Sequence, residues 1–193
     1  MKIAIVSDTH GRCDQVISDL LKRDNIELLI HLGDMVSDAK LIQEKTGLSM
    51  HVVRGNNDYY DENTPWKMLI RLEGHKILLT HGHHERVGWS NTNLIYAAKE
   101  AEVDMVFYGH THVYDHREED GIRLLNPGSA GYDRGGEYES YVIMDISKDN
   151  IEVERIRLWM GVKLWQVTIL RHDTTSTNEV KCESMSGPSS SND

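Results

Sequence analysis

The chain has 193 residues, of which 39% are apolar and 27% are charged, a composition typical of a folded globular protein. This length suffices for one domain with a substantial hydrophobic core and is too short for two domains of ordinary size. Asp and Glu outnumber Lys and Arg by 31 to 21, so the formal net charge is −10, and the overall field of the chain does not attract duplex nucleic acid.

Cysteine content and hydropathy exclude further classes. The two cysteines, Cys13 and Cys182, cannot form a disulfide framework, so we expect a reducing, cytoplasmic location. The apolar run at residues 3–6 is too short for a signal peptide, and no stretch approaches the roughly 20 apolar residues of a membrane span. We therefore expect no membrane association. The unusual feature of the composition is its 11 histidines.

Short apolar strands alternate with amphipathic helices at the start of the chain. The pattern predicts strands at residues 2–6, 28–32 and 50–53, and helices at 14–25 and 39–45. The order β-α-β-α-β is typical of a parallel sheet that is covered by helices.

The following segment is richer in strands. Alternating apolar residues predict a hairpin at 67–72 and 76–79, a helix follows at 91–101, and a strand follows at 104–108. Further short strands separated by turns are predicted at 113–117, 122–125, 141–146 and 151–156.

The composition changes near residue 159. Residues 159–170 are apolar, and the remainder of the chain is rich in Ser and Thr with few apolar side chains. We expect one folded domain at 1–158 and a C-terminal appendage at 159–193, which consists of the apolar segment and a flexible tail.

Polar clusters follow five of the predicted strands. Ligands of open α/β sheets bind beyond the carboxyl ends of the strands, so these clusters can converge. Taken singly, each cluster has a simpler explanation as a helix cap, a turn or a buried histidine. Together they favour a site for Mn, Fe, Zn or Ni, because oxygen and imidazole ligands suit these metals. The clusters are Asp8-Thr9-His10, Gly33-Asp34, Gly55-Asn56-Asn57-Asp58, His81-Gly82-His83 and Gly109-His110-Thr111-His112.

The order of these motifs, D-x-H, G-D, G-N-x-D, H-G-H and G-H-x-H, resembles that of the calcineurin-like metallophosphoesterases. The compact length and the segment Asn126-Pro127-Gly128-Ser129 resemble the small YfcE-type phosphodiesterases of that superfamily. This resemblance covers about residues 1–158. It implies a single α/β domain, the metallophosphoesterase sandwich, in which two facing mixed β-sheets are flanked by helices.

The resemblance also implies two divalent metal ions and hydrolysis of a small phosphodiester by a hydroxide that bridges them. Manganese is the metal that we expect, and the same ligands accept Ni, Zn, Fe, Co or Mg. Few of the ligands are charged, so the loaded site is net positive and can bind phosphate within an acidic chain. The implied ligands are Asp8, His10 and His112 for the first ion, Asp34 as the bridge, and Asn56, His81 and His110 for the second ion.

One position departs from the commonest pattern of the family. Many members have a His after the Asn of the third motif, where it can act as a general acid, and this chain has Asn57. An amide can donate a hydrogen bond but cannot deliver a proton, so we expect a preference for activated substrates or diesters over alkyl monoesters. YfcE-type members also often lack this His. His83 or His84 could serve as the catalytic proton donor instead, and the alternative for both is a supporting or surface position.

Three other charged residues could support the site. Asp58 is expected to orient a ligand, with His10 as the first candidate. Arg54 and Arg134 could contact the substrate phosphate, and the alternative for both is an ordinary surface cation.

Two other functions remain compatible with the resemblance. A subunit of the retromer sorting complex resembles this fold and acts mainly as a protein interaction scaffold, with an altered metal pocket. The present chain retains every metal-binding motif position, including His10 and Asp34, which favours an enzyme. A nuclease of the same superfamily is disfavoured because the chain lacks a basic stripe. Small members of the family often self-associate, so a homo-oligomer is also compatible with the resemblance.

Overall fold

The computed structural model describes residues 1–135 and 137–158, so the appendage predicted at 159–193 lies outside the described residues. Within the described ranges, none of the helices is long and apolar enough to cross a membrane. The described elements are, in chain order, β1 (Lys2–Val6), α1 (Asp14–Leu20), β2 (Leu28–His31), α2 (Val36–Thr46), β3 (Ser49–Val52), β4 (Lys67–Leu72), β5 (His75–Thr80), α3 (Thr92–Glu100), β6 (Met105–Phe107), β7 (Tyr114–Glu119), β8 (Ile122–Pro127), β9 (Ser140–Ile146) and β10 (Ile151–Arg157).

The strands form two mixed five-stranded sheets. The first sheet has the order β10-β9-β1-β2-β3, and the second has the order β4-β5-β6-β8-β7. The strands β1, β2 and β3 are parallel, and Val6, His31 and Val52 are in register across them. The strands β5, β6 and β8 are also parallel. Because parallel strands in register end together, the loops after β1, β2 and β3 leave the first sheet at the same edge.

The core lies between the two sheets, with a second apolar layer on the outer face of each. Along β1, Ile3 and Ile5 point to the inter-sheet core, and Ala4 and Val6 point to the layer beneath α1 and α2. This alternation is the two-residue period of a strand that is buried on both faces. The helix α3 covers the outer face of the second sheet. The predicted fold, two facing mixed sheets flanked by helices, is confirmed.

The helices differ from their predicted bounds more than the strands do. The helix α1 ends at Leu20, earlier than predicted, and the next residue, Leu21, is 62% exposed. The helix α2 begins at Val36, before the predicted start at residue 39. Its first turn is stabilised by the Asp58 carboxylate, which accepts a hydrogen bond from the Val36 N–H at 2.7 Å. A cap that comes from a residue so distant in the chain leaves no signal in the helix sequence.

Candidate metal centre

Four acidic and imidazole side chains meet where the loops after β1, β2 and β6 approach one another. The His112 Nε2 atom lies 3.2 Å from Asp8 Oδ1, and the His10 Nε2 atom lies 3.8 Å from Asp34 Oδ2. These are the residues predicted to hold the first ion, together with the predicted bridge. One ligand atom of each lies within 4.8 Å of the others in the group formed by Asp8, His10, Asp34 and His112.

Asp34 also borders a second group of side chains. Its Oδ1 atom lies 3.4 Å from His81 Nε2, which in turn lies 3.2 Å from Asn56 Oδ1. The His110 ring packs edge-on against His81 with 5.2 Å between the ring centroids. The two carboxylate oxygens of Asp34 therefore face different groups, with Oδ2 toward His10 and Oδ1 toward His81. This placement is compatible with a carboxylate that is shared by two cations.

The hydrogen bonds of the buried Asp8 carboxylate test whether these side chains suit a cation. Its Oδ2 atom accepts hydrogen bonds from the Ser7 hydroxyl at 2.6 Å and from the His110 backbone N–H at 3.0 Å. Its Oδ1 atom is buried and has no hydrogen-bond partner among the described residues. A buried carboxylate oxygen without a donor is unfavourable, and a cation would satisfy it. Carboxylate, imidazole and amide ligands are the donor set of a first-row divalent metal, so the residues fit such an ion.

Backbone carbonyls orient two of the imidazoles. His81 Nδ1 donates to the Leu32 carbonyl at 2.8 Å, and His112 Nδ1 donates to the Tyr132 carbonyl at 2.6 Å. Because a carbonyl oxygen can only accept, Nδ1 carries the proton in both rings. The Nε2 atom of each neutral ring is then free to bind a metal, which is the usual arrangement of metal-binding histidines.

The charges of the site stabilise one another. Burial alone would raise the pKa of both carboxyls, but His112 and His81 hold the pKa of Asp8 below its usual value. Hydrogen bonding and charge from His81, together with Asn57, hold the pKa of Asp34 well below its usual value. Asp34 and Asp8 raise the pKa of His81 in spite of its burial. The buried carboxylates and His81 therefore stabilise one another's charged forms, and a bound cation would take over that role toward Asp8 and Asp34.

The loops that carry the predicted ligands have strained backbones. Side chains other than glycine rarely adopt a positive φ angle, and such residues cluster at functional sites. The left-handed conformation bends each loop sharply, so that side chains from separate strands point to one place. Predicted ligands with positive φ are Asp8 (54°), His10 (45°), Asp34 (55°), His110 (69°) and His112 (62°).

The loop after β3 holds Asp34 in position. The Asn57 backbone N–H donates to Asp34 Oδ1 at 2.9 Å, and the Asn57 side-chain amide donates to Oδ2 at 2.6 Å. A Cβ atom on Gly55 would lie 2.1 Å from Asp34 Oδ1, so this close approach requires glycine. The structure thus places the amide of Asn57 against a predicted ligand.

Asp58 binds backbone groups instead of His10. Its Oδ1 atom accepts from the Met35 and Val36 N–H groups at 3.0 and 2.7 Å, and its Oδ2 atom accepts from the Gly55 N–H at 2.8 Å. The expectation that Asp58 orients His10 is wrong, because its hydrogen bonds among the described residues go to backbone N–H groups and none goes to His10. Asp58 instead connects the two loops that carry Asp34 and Asn56.

His83 lies beside the site in an aromatic stack. Its ring centroid is 5.4 Å from that of His81, 5.1 Å from Trp66 and 4.0 Å from the exposed His84. Burial, with added repulsion from neighbouring imidazoles, lowers the pKa of His83 to about 4. His83 is therefore neutral near pH 7, where it can donate a hydrogen bond but holds no extra proton. Its assignment as proton donor, like that of His84, stays a prediction.

The two arginines have different surroundings. The Arg54 guanidinium stacks on Trp66, 3.7 Å from the ring centroid, and donates to the Asp61 carbonyl at 2.8 Å. Because Trp66 also contacts His83, these contacts connect Arg54 to His83 through the Trp66 ring. Arg134 is exposed and lines a cleft together with His110.

Sequence reasoning assigned no role to three groups that support the site. Ser7 donates to Asp8, and Ser129 Oγ donates to the Asp8 carbonyl at 2.7 Å and accepts from the Tyr132 N–H at 2.8 Å. The carbonyl of Tyr132 orients His112. Ser7 lies beside the first motif and Ser129 lies within a segment already noted, so the sequence offered a signal for both. A backbone carbonyl offers none, because every residue has one.

Comparisons with known proteins agree with this geometry. Residues 1–149 match the calcineurin-like phosphoesterase superfamily domain. The phosphodiesterase MJ0936 of Methanocaldococcus jannaschii is 33% identical over 150 residues, which cover 68% of this chain and 86% of that protein. A predicted phosphoesterase of Streptococcus pneumoniae has a crystal structure with a TM-score of 0.67 and 29% identity, covering 83% of this chain and 94% of its own.

A further solved structure shares the architecture. Vps29 of Entamoeba histolytica, solved in complex with Zn²⁺, has a TM-score of 0.67 and covers 81% of this chain and 99% of its own. At 24% identity this likeness shows the fold alone.

Proposed function

Because the chain belongs to the calcineurin-like phosphoesterase superfamily, we propose that it is a metal-dependent phosphodiesterase with a two-ion centre. The observation that carries the proposal is the position of Asp34. One of its oxygens faces His10 and the other faces His81, so a single carboxylate borders two groups of potential ligands. Two cations held close together need a shared anion between them, and Asp34 is placed to supply it.

We assign the ligands to the two ions according to the side chains that they contact. When divalent cations are bound, they supply Lewis acidity, which lowers the pKa of a coordinated water and neutralises charge on phosphate oxygens. The Leu32 and Tyr132 carbonyls keep the His81 and His112 rings turned toward the centre. We assign Asp8, His10 and His112 to the first ion, Asn56, His81 and His110 to the second ion, and Asp34 to both.

The surrounding residues favour diesters with good leaving groups. Asn57 is engaged with Asp34 and has no acidic proton, and His83 is neutral near pH 7 because its pKa is about 4. A departing alkoxide would therefore lack a strong proton donor, which typically slows such reactions by about 10²–10⁴-fold. An activated diester does not depend on that proton, so we propose a phosphodiester substrate and weak activity on alkyl monoesters.

Manganese is the metal that we propose, on chemical grounds. The assigned ligands combine imidazole nitrogens with carboxylate and amide oxygens, a set that several first-row metals accept. Nickel, zinc, iron, cobalt and magnesium are the competing ions, and adding each back to stripped protein ranks them.

A metal-binding scaffold is the alternative function. The likeness to Vps29 supports it at the level of the fold. The enzyme is better supported by the contacts, because Asp34 borders both the cluster with Asp8, His10 and His112 and the pair His81–Asn56, and the Oδ1 atom of Asp8 has no hydrogen-bond partner among the described residues.

Hydrolysis assays on metal-stripped protein separate these functions. Bis-p-nitrophenyl phosphate is the diester and p-nitrophenyl phosphate is the monoester, and each is tested with Mn²⁺, Ni²⁺, Zn²⁺ or Mg²⁺ added back. We expect metal-restored cleavage that favours the diester and is lost in both Asp34→Ala and His112→Ala. The exposed Asp24→Ala and the half-buried His75→Ala, both away from the predicted ligands, serve as matched controls that keep activity. Metal binding without cleavage of either ester would overturn the enzyme in favour of the scaffold.

A further inference from the structure

A cleft of about 650 Å³ opens beside the candidate metal centre. The turn after β6, the loop before α3 and the loop after β8 line it, and His110 belongs to both the cleft and the centre. We refer to it as the His110 cleft. The residues that characterise it are His110, Trp89, Arg117 and Arg134.

Arg134 gives the His110 cleft an uncompensated positive charge. In the part of the chain that the structure describes, no carboxylate lies within ion-pair distance of its guanidinium. The other cation of the cleft, Arg117, is neutralised by Asp115 at 3.6 Å and Glu119 at 3.4 Å. In a chain with a net charge of −10, an unpaired guanidinium beside the site is suited to bind an anion.

The loop that carries Arg134 is fixed to the candidate metal centre. The Gly131 N–H donates to the Asp8 carbonyl at 3.1 Å, and the Tyr132 carbonyl accepts from His112 Nδ1 at 2.6 Å. Arg134 follows two residues later. These bonds hold the start of the loop in a defined position relative to Asp8 and His112, so Arg134 is presented to the cleft by a supported backbone.

Trp89 provides a flat apolar surface in the same cleft. Its side chain is 94% exposed and belongs to the loop before α3. An exposed tryptophan within a substrate-sized cleft is suited to stack against a planar ring.

A second cleft, of about 480 Å³, borders the site at Asn57 and lacks this combination. Its cation, Lys40, is paired with Asp61 at 2.8 Å. Of these two clefts of the described residues, only the His110 cleft combines an unpaired cation with an exposed tryptophan.

We propose that the His110 cleft binds the ester group that the reaction leaves on phosphorus, and that this group is a planar ring system with a second anionic group. A nucleoside that carries a phosphate on another hydroxyl has this chemistry. Arg134 binds the second anion and Trp89 contacts the ring. This assignment rests on the proposed function, because it places the remaining part of the same diester.

A series of p-nitrophenyl diesters with one common leaving group tests the assignment. The second ester group is methyl, thymidine, or thymidine with a phosphate on its other sugar hydroxyl. Arg134→Ala is expected to lower the ratio of kcat/KM for the phosphorylated over the plain thymidine ester about tenfold, the usual effect of one charge-assisted hydrogen bond. Trp89→Ala is expected to lower the ratio for thymidine over methyl about tenfold, as for other base–aromatic contacts.

Matched controls exclude effects of net charge and of surface aromatics. Arg71→Ala removes an exposed cation from β4, and Tyr96→Ala removes an exposed aromatic from α3, and neither residue lines the His110 cleft. Both controls are expected to keep the wild-type ratios. Unchanged ratios in Arg134→Ala and Trp89→Ala, with normal metal-dependent cleavage of the methyl ester, would overturn the assignment and leave the phosphodiesterase intact.

Binding measured by calorimetry separates the two proposals if no ester is cleaved. Thymidine bisphosphate and thymidine monophosphate are the ligands, and their relative affinity does not depend on turnover. A preference for the bisphosphate that Arg134→Ala abolishes would support the cleft even if the proposed hydrolysis failed. Equal affinities for wild-type protein would overturn the assignment.

Discussion

Asn57 donates two hydrogen bonds to Asp34, one from its backbone to Oδ1 at 2.9 Å and one from its side chain to Oδ2 at 2.6 Å. These are the same two oxygens that face His81 and His10. Asn57 therefore orients the carboxylate that lies between the two ligand groups.

Replacing Asn57 with Ala should weaken metal binding. Loss of a side chain that orients a metal ligand typically lowers affinity about 10–100-fold, and calorimetric titration of stripped protein with Mn²⁺ measures this. Asn63→Ala is the matched control, since Asn63 follows in the same loop region and lines the neighbouring cleft. Unchanged affinity in Asn57→Ala would contradict the orienting role.

Replacing Asp58 with Ala should destabilise the fold. The substitution removes the acceptor for three backbone N–H groups and the cap of α2, so we expect a loss of about 2 kcal/mol in the free energy of unfolding. Asp58→Asn retains one side-chain acceptor oxygen and should lose less. Urea denaturation measures both, with the exposed Asp24→Ala as control. Equal stabilities of Asp58→Ala and wild type would show that these bonds contribute nothing.

Acid should destabilise the protein through His31. Gly33 N–H donates to His31 Nδ1 at 3.3 Å, and His31 Nε2 faces the Thr9 hydroxyl at 3.4 Å, so the buried ring is neutral. Burial lowers its pKa from 6.5 to about 4. The unfolded chain then binds a proton in this window that the folded chain excludes. Stability contributed by His31 is therefore complete above pH 6.5 and declines toward pH 4.

The His31 contribution can be isolated by comparing variants. Between pH 7 and pH 5 the contribution of His31 to the free energy of unfolding falls by about 2 kcal/mol, as the linkage between pKa and stability requires. Over the same change of pH, urea denaturation in a chelator should show a smaller loss of unfolding free energy for His31→Gln than for wild type. His75→Gln should lose as much as wild type. Identical pH dependence in wild type and His31→Gln would refute the assignment.

Replacing Gly131 with Ala should disturb the metal centre from a distance. A Cβ atom at this position would lie 2.0 Å from the Thr9 carbonyl oxygen, so the loop must shift. The shift would weaken the bond between the Tyr132 carbonyl and His112, and we expect a fall of about 10-fold or more in Mn²⁺ affinity. In the same loop, a Cβ atom on Gly135 would come no closer than 3.4 Å to its neighbours, so Gly135→Ala is the control. Equal affinities of the two variants would contradict this.

The strands and the set of converging residues could be predicted because their signals are local. Apolar residues along β1 occupy both faces of a buried strand, and Asp8 and His10 follow at once. Parallel strands in register bring the loops after β1, β2 and β3 together. His81 and His112 follow strands of the second sheet, so their place beside Asp8 and Asp34 was predicted from the motif order.

The contacts that orient the site could not be predicted because they join distant parts of the chain. Asp58 caps α2 from the far side of β3, and the Tyr132 carbonyl binds His112 across the turn after β6. Neither contact has a spacing rule. Asp58 and His10 were paired in the prediction on chemical type alone, and only the folded loops show that backbone N–H groups occupy the carboxylate.

The most direct test of the account is a titration of metal-stripped protein with Mn²⁺ while hydrolysis of bis-p-nitrophenyl phosphate is followed. The two-ion centre predicts that activity stays low until the first equivalent is bound and reaches a plateau near two equivalents per chain. A plateau at one equivalent, or hydrolysis that persists without metal, would contradict the central claim that Asp34 is shared by two ions.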